Sequence, residues 1–167
     1  QNNNTRSESV TVETTLTDAE GKVIKRTSSK LSLNSGEKKS IRQQMDVRNP
    51  KLWSPDAPYL YRVQSRIKKG NRSIDGGTTR IGIRLAEFRG KEGFWLNGKP
   101  FGQLVGANRH QDFAYVGNAL PNSQQWRDAK RLRDAGCTII RVAHYPQDPS
   151  FMDACDELGM FVIVATP

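Results

Sequence analysis

Hydrophobic and polar positions alternate with a period of two through most of the first 85 residues, the mark of strands with one buried face. Val10, Val12, Thr14 and Leu16 share a face, and Asp18-Ala19-Glu20-Gly21 supplies a turn before Val23 and Ile24. Leu31 and Leu33 alternate again ahead of the turn Asn34-Ser35-Gly36. Tyr59, Tyr61, Val63, Ser65 and Ile67 form a further run, closed by Gly70-Asn71. No helix-period segment interrupts these runs, so the spacing predicts an antiparallel β-sandwich. One stretch breaks the rhythm. Pro50, Pro55 and Pro58 forbid a central strand around Trp53 and stiffen the chain there. Trp53 is therefore expected to be a buried anchor rather than an exposed platform for stacking a sugar.

Near residue 90 the period changes. Phe94-Trp95-Leu96-Asn97-Gly98-Lys99-Pro100-Phe101 reads as a hairpin on an Asn-Gly turn. Residues 103–108 form a short apolar strand, and a helix follows, capped by Asn122 or Ser123. Trp126, Ala129 and Leu132 share its buried face and Gly136 ends it. Residues 138–143 are a second strand. Asp148-Pro149 opens a second helix that buries Phe151, Met152, Cys155 and Leu158 and stops at Gly159. Residues 160–165 are a third strand. Near-continuous apolar strands alternating with helices mean a parallel sheet. A doubly wound sheet and a (β/α)₈ barrel would both complete it, but the first strand–helix loop has no Gly-x-Gly-x-x-Gly. The barrel is the better reading. Three strands cannot close one, so the chain is expected to be a piece of a longer protein, with a sandwich over residues 1–88 and the opening of the barrel over 89–167.

Composition narrows the function. The chain has 167 residues and a net charge of +9, which invites a nucleic-acid partner. All of that excess precedes residue 90, scattered over strands and turns. Neither Lys pair, at 38–39 and 68–69, is interleaved with aromatic residues that could stack on bases. A solvated basic surface is the simpler reading, and no nucleic-acid partner is expected. No apolar run reaches the ~18 residues of a membrane span, and residues 1–20 lack the apolar core of a signal peptide. The compartment stays open. Cys137 falls between a helix and a buried strand and Cys155 on the next helix's apolar face, as inert thiols do.

Function in parallel α/β folds collects at the carboxyl ends of the strands. Both histidines of the chain lie there: His110 after the first parallel strand and His144 after the second. Together they point to one polar pocket. Arg141 interrupts the apolar second strand, and a buried guanidinium needs a carboxylate or a bound anion. Two histidines and Asp112 could in principle hold a metal, but the His-x-His pair of metallo-hydrolase barrels is missing, so no metal or other cofactor is expected.

At these residues the sequence resembles glycoside hydrolase family 2, the β-galactosidase and β-glucuronidase group. The matching stretches are Asn49-Pro-Lys-Leu-Trp-Ser-Pro-Asp-Ala-Pro-Tyr-Leu-Tyr61, Gly82-Ile-Arg84, Leu96-Asn-Gly-Lys-Pro100, Gly106-Ala-Asn-Arg-His110, Arg141-Val-Ala-His-Tyr-Pro146 and Asp156-Glu-Leu-Gly159. They follow the family's order across nearly the whole chain. The resemblance implies an immunoglobulin-like sandwich followed by the first βαβαβ part of a TIM barrel. It also implies a retaining exo-glycosidase acting on terminal β-linked sugars, β-galactosides foremost and β-glucuronides second. Its acid/base and nucleophile glutamates are expected beyond Pro167, so this piece alone is expected to be inactive. The alternative from another class is a non-catalytic structural or carbohydrate-binding module. The resemblance further implies that His110 and His144 contact the sugar and that Arg141 pairs with the nucleophile; Asp112, two residues after His110, is taken as a further substrate-binding candidate. A carbohydrate is then the partner, and the parent protein could be oligomeric. The sequence departs from the family at Gln111, where glutamate is frequent, and at Val164-Ala165, where many members carry an Asp-Glu pair. A first sandwich strand would also be expected before Gln1.

Overall fold

The computed structural model describes residues 1–165, which fall into two compact units. The first comprises Gln1–Pro50 and Leu60–Ile81; the second takes Lys51–Tyr59 and everything from Gly82 onward.

In the first unit, β1 (Glu8–Thr17), β2 (Val23–Leu33), β3 (Tyr61–Lys69) and β4 (Arg72–Ile81) form one antiparallel sheet in the order β2-β1-β3-β4. Register places Val12 between Ser29 and Ile67, and Leu16 between Lys25 and Val63, so the alternating residues collect on one face. Residues 37–47 run over that face. Thr14 Oγ1 donates to Gln43 Oε1 at 2.6 Å, and Gln43 Nε2 donates to the Val12 carbonyl and to Ser29 Oγ. Gln43, Met45 and Val47 are half-buried while Arg42, Gln44 and Asp46 are exposed. This strap is the sandwich's second layer, and it joins no ladder among the described residues. The runs around Val23 and around Leu31 belong to a single strand, because the polar residues between them pair with β1 through the backbone whatever their side chains. β4 carries almost no apolar alternation and is an exposed edge. Its Gly76 is needed where a Cβ would stand 2.7 Å from the Ser65 carbonyl oxygen.

In the second unit, β5 (Ala86–Phe88), β6 (Phe94–Leu96) and β7 (Lys99–Pro100) make a small antiparallel sheet. Its β6–β7 turn has Asn97 and Gly98 both at positive φ, as the Asn-Gly pair predicts. Then β8 (Gly106–Arg109), α1 (Asn122–Asp134), β9 (Ile139–Val142), α2 (Pro149–Leu158) and β10 (Phe161–Val164) alternate, with the strands parallel in the order β10-β9-β8. Ala129, Ile140, Val142, Phe151, Ala154, Cys155 and Met160 form the core between this sheet and the two helices. Asp148 caps α2 by accepting from the Ser150 N–H at 2.8 Å, and Gly159 ends it in the left-handed conformation.

Helix α1 differs from expectation in two respects. Its N-cap is Pro121, with no side-chain cap, so neither Asn122 nor Ser123 plays that part. Trp126 lies 38% exposed, because the buried face is set by Gln125 and Ala129, one position out of phase with it. Trp53 is the buried anchor expected, at 1% exposure. Its indole N–H donates to the Asp156 carbonyl, and its ring meets Phe161 edge-on at 5.3 Å. Among the described residues no helix is long and apolar enough to cross a membrane.

Candidate functional site

Strands β8 and β9 run side by side and end together, Arg109 opposite Val142. The face away from the helices carries Gly106, Asn108, Ile139, Arg141 and Ile163 around an open depression of about 260 Å³. Gly106 lets the two strands approach: a Cβ there would sit 1.7 Å from the Ile139 carbonyl oxygen. One residue past β8 comes His110, and two past β9 comes His144, joined to Ala143 by a cis peptide. The two exposed imidazoles meet edge to face, with ring centroids 5.5 Å apart. Arg141 Nη2 stands 3.3 Å from His144 Nδ1. A guanidinium only donates, so in this contact Nδ1 is the acceptor. The Tyr145 ring lies 6.2 Å from that of His110.

The structure thus brings His110, His144 and Arg141 together at one strand-end rim. It does not bring in Asp112 by any contact: its carboxylate is exposed and forms no hydrogen bond or ion pair among the described residues. Arg141 is half-buried and has no carboxylate partner among them.

A buried, carboxylate-paired guanidinium occurs on these strands at Arg109. Arg109, 6% exposed, points to the helix side because strand alternation puts it opposite in phase to Arg141's face. Its Nη2 donates to Asp128 Oδ2 at 2.9 Å and to Gln125 Oε1 at 2.8 Å, and its guanidinium carbon lies 4.0 Å over the Phe151 ring. Polar residues at 124, 125 and 128, on a helix that must bury a face, were the signal in the sequence.

Other chemistry is weak here. Burial pushes the Cys155 thiol up to about 12, far from a reactive thiolate, and Cys137 is likewise free. The hydrogen bonds from Ser150 hold the Asp148 carboxyl below the usual range, so it is spent on capping. No group of three His, Cys, Asp or Glu side chains able to hold a metal occurs among the described residues. Trp53 and Tyr61 are buried and Tyr59 half-buried, so these three do not form an exposed platform for stacking a sugar.

Residues 1–84 match the family model described as glycosyl hydrolases family 2, and residues 87–167 match that described as glycosyl hydrolases family 2, TIM barrel domain. The chain belongs to glycosyl hydrolase family 2. A β-galactosidase of Thermoanaerobacter pseudethanolicus is 45% identical over 130 residues, covering 77% of this chain and 17% of that protein. A family 2 glycosyl hydrolase from Bacteroides cellulosilyticus superposes with a TM-score of 0.90 at 33% identity, over 96% of this chain and 22% of the other. The β-glucuronidase of Bacteroides uniformis gives 0.88 at 32%, over 96% and 19%. The chain therefore spans about a fifth of the length of the family 2 proteins it matches. Membership makes the β8–β10 segment the opening of a TIM barrel, whose functional groups gather at the carboxyl ends of the strands.

Proposed function

We propose that this chain is the immunoglobulin-like part (residues 1–88) and first barrel strands (residues 89–167) of a retaining exo-glycosidase acting on terminal β-linked sugars. The reaction is of the β-galactosidase type, with β-glucuronide hydrolysis as the second reading. The observation that carries this is the His110–His144 pair, 5.5 Å apart with Arg141 beside it, at the carboxyl edge of adjacent parallel strands. In this reading imidazole N–H groups of the two histidines donate to sugar hydroxyls, and those bonds tighten as the ring flattens toward the oxocarbenium-like transition state. The Arg141 cation is the partner for an acid supplied by a later strand, and keeps it ionised as a nucleophile must be. Asp112, exposed two residues after His110, supplies a carboxylate for a further sugar hydroxyl in this reading. Both catalytic glutamates come from beyond Pro167.

The test is a panel of nitrophenyl β-glycosides on the full-length protein, galactoside and glucuronide included. Turnover of one of them is expected, and turnover of none defeats the proposal. His110→Ala and His144→Ala should each lower kcat/KM by about 10- to 150-fold, as hydrogen bonds of ~1.5–3 kcal/mol require, with the folded state intact by circular dichroism.

A further inference from the structure

The two rim loops are not independent. Arg109 and Gln111, which flank His110, are each bonded to the segment that carries His144. Arg109 Nη1 donates to Gln147 Oε1 at 2.5 Å, and Gln147 Nε2 donates back to the Arg109 carbonyl at 2.7 Å. The Gln111 N–H donates to the Tyr145 hydroxyl oxygen at 2.9 Å, and Gln111 Oε1 accepts from the Asp148 N–H at 2.6 Å. The Ala143 N–H donates to that same Arg109 carbonyl. Each histidine is thus bracketed in sequence by residues fastened to the other's loop. Gln147 is 9% exposed and its partner Arg109 is in turn anchored by Asp128 and Gln125 of α1, so the staple is rooted in the helix layer.

We infer that Gln147, with Gln111 as the second clasp, is a positioning residue that holds His110 and His144 in their mutual geometry. The side chain touches neither imidazole; it acts through the Arg109 backbone and guanidinium. Three features carry the inference. Gln147 spends its carbonyl oxygen and its amide N–H on one residue, a two-point clasp that fixes orientation as well as distance. The clasp is buried, where a hydrogen bond is stronger and its loss leaves unpaired polar groups. Beyond it both histidines are exposed, and the ring contacts they make with each other and with Tyr145 come from the same two loops, so the loops set where the rings stand.

A displacement of ~1 Å spoils contacts made in the transition state and costs on the order of 10- to 100-fold. The inference rests on the proposed glycosidase reading, and the experiment separates the two. Gln147→Met keeps the side-chain length and removes both hydrogen bonds. In the full-length protein it should lower kcat about 10- to 100-fold on the best nitrophenyl glycoside while KM moves less than about threefold. In a crystal structure of the variant, the His110–His144 rings should leave their 5.5 Å edge-to-face contact. Gln147→Glu keeps an oxygen acceptor for Arg109 and should recover part of the rate. Unchanged kcat in folded Gln147→Met, or an undisturbed ring pair, overturns the inference. If Gln147→Met does not fold, Gln111→Met, which removes the bond from the Asp148 N–H, faces the same two criteria. If the unmodified protein hydrolyses no β-glycoside, the glycosidase reading fails by itself, and the ring geometry still decides the positioning role.

Discussion

The first unit has the longer strands and the second has the core. Strands β1 to β4 run nine to eleven residues, yet Leu16, Leu33 and Tyr61 are the buried apolar side chains that the unit shows. Strands β8 to β10 have four residues each and support a continuous cluster from Ala129 to Met160. Ladder length and core depth are set by different things. A long antiparallel hairpin satisfies its backbone hydrogen bonds whatever faces outward, whereas a parallel strand pair needs a crossover helix, which brings its own apolar face. The second unit spends that economy on its other side. Its helix-distal face is open and carries Arg141 below the two histidines, so the well-packed layer serves as the rigid back of the site.

This contrast can be broken experimentally. The largest effect is expected at Phe151, fully buried in the core with Arg109 over its ring: Phe151→Ala should cost about 3–5 kcal/mol of stability in urea titration. A loss under about 1 kcal/mol would mean that the second unit has no more core than the first. Next comes the α2 cap, where Asp148→Ala should cost about 1 kcal/mol. Its carboxyl is held below the ordinary value by Ser150, so the charged form is favoured on folding. That contribution is present above the ordinary Asp pKa of about 4 and disappears as pH falls through the lowered value. Stability measured between about pH 5 and pH 2 should therefore slope less steeply in Asp148→Ala than in the parent. The smallest effect is expected in the first unit. Val12 is half-buried beneath the Gln43 strap, and Val12→Ala should cost about 0.5–1 kcal/mol. A cost as large as that of Phe151→Ala would show a far tighter first layer than its burial implies.

Where a residue's local chemistry and its tertiary role agree, the sequence was readable. Asp148-Pro149 and Gly159 mark α2 because a cap, a first-turn proline and a left-handed stop each act within one turn of chain. The Asn97-Gly98 turn is legible for the same reason. Alternation also carried β1 and β3. It failed for β4, whose Gly76-Gly77 pair and exposed polar residues owe their strand to the partner β3 rather than to any pattern of their own. The site was half legible. Two histidines at strand ends predict a shared rim, but which of Arg109 and Arg141 turns inward depends on strand phase, and the strand's true start at Gly106 is not marked by any turn residue. The clasp between Gln147 and Arg109 spans 38 residues, and nothing local to either glutamine or arginine announces it.

The anchoring of Trp53 gives the chain an unusual thread. The segment Lys51–Tyr59 belongs to the second unit although Leu60–Ile81, which follows it, belongs to the first, so the polypeptide crosses between the units three times. Gly82 and Gly159 are shaped around this visiting segment: a Cβ on the former would press on Trp53 at 2.8 Å, and one on the latter on the Pro55 carbonyl oxygen at 2.3 Å. A polypeptide that began at residue 82 would keep every barrel strand and both histidines, yet would lack the indole that fills the space beside Phe161. Neither unit can be excised by a single cut or inherited by a single splice. Shuffling of gene segments would have to move them as a pair, and a protease would have to cut at all three crossings before either came free.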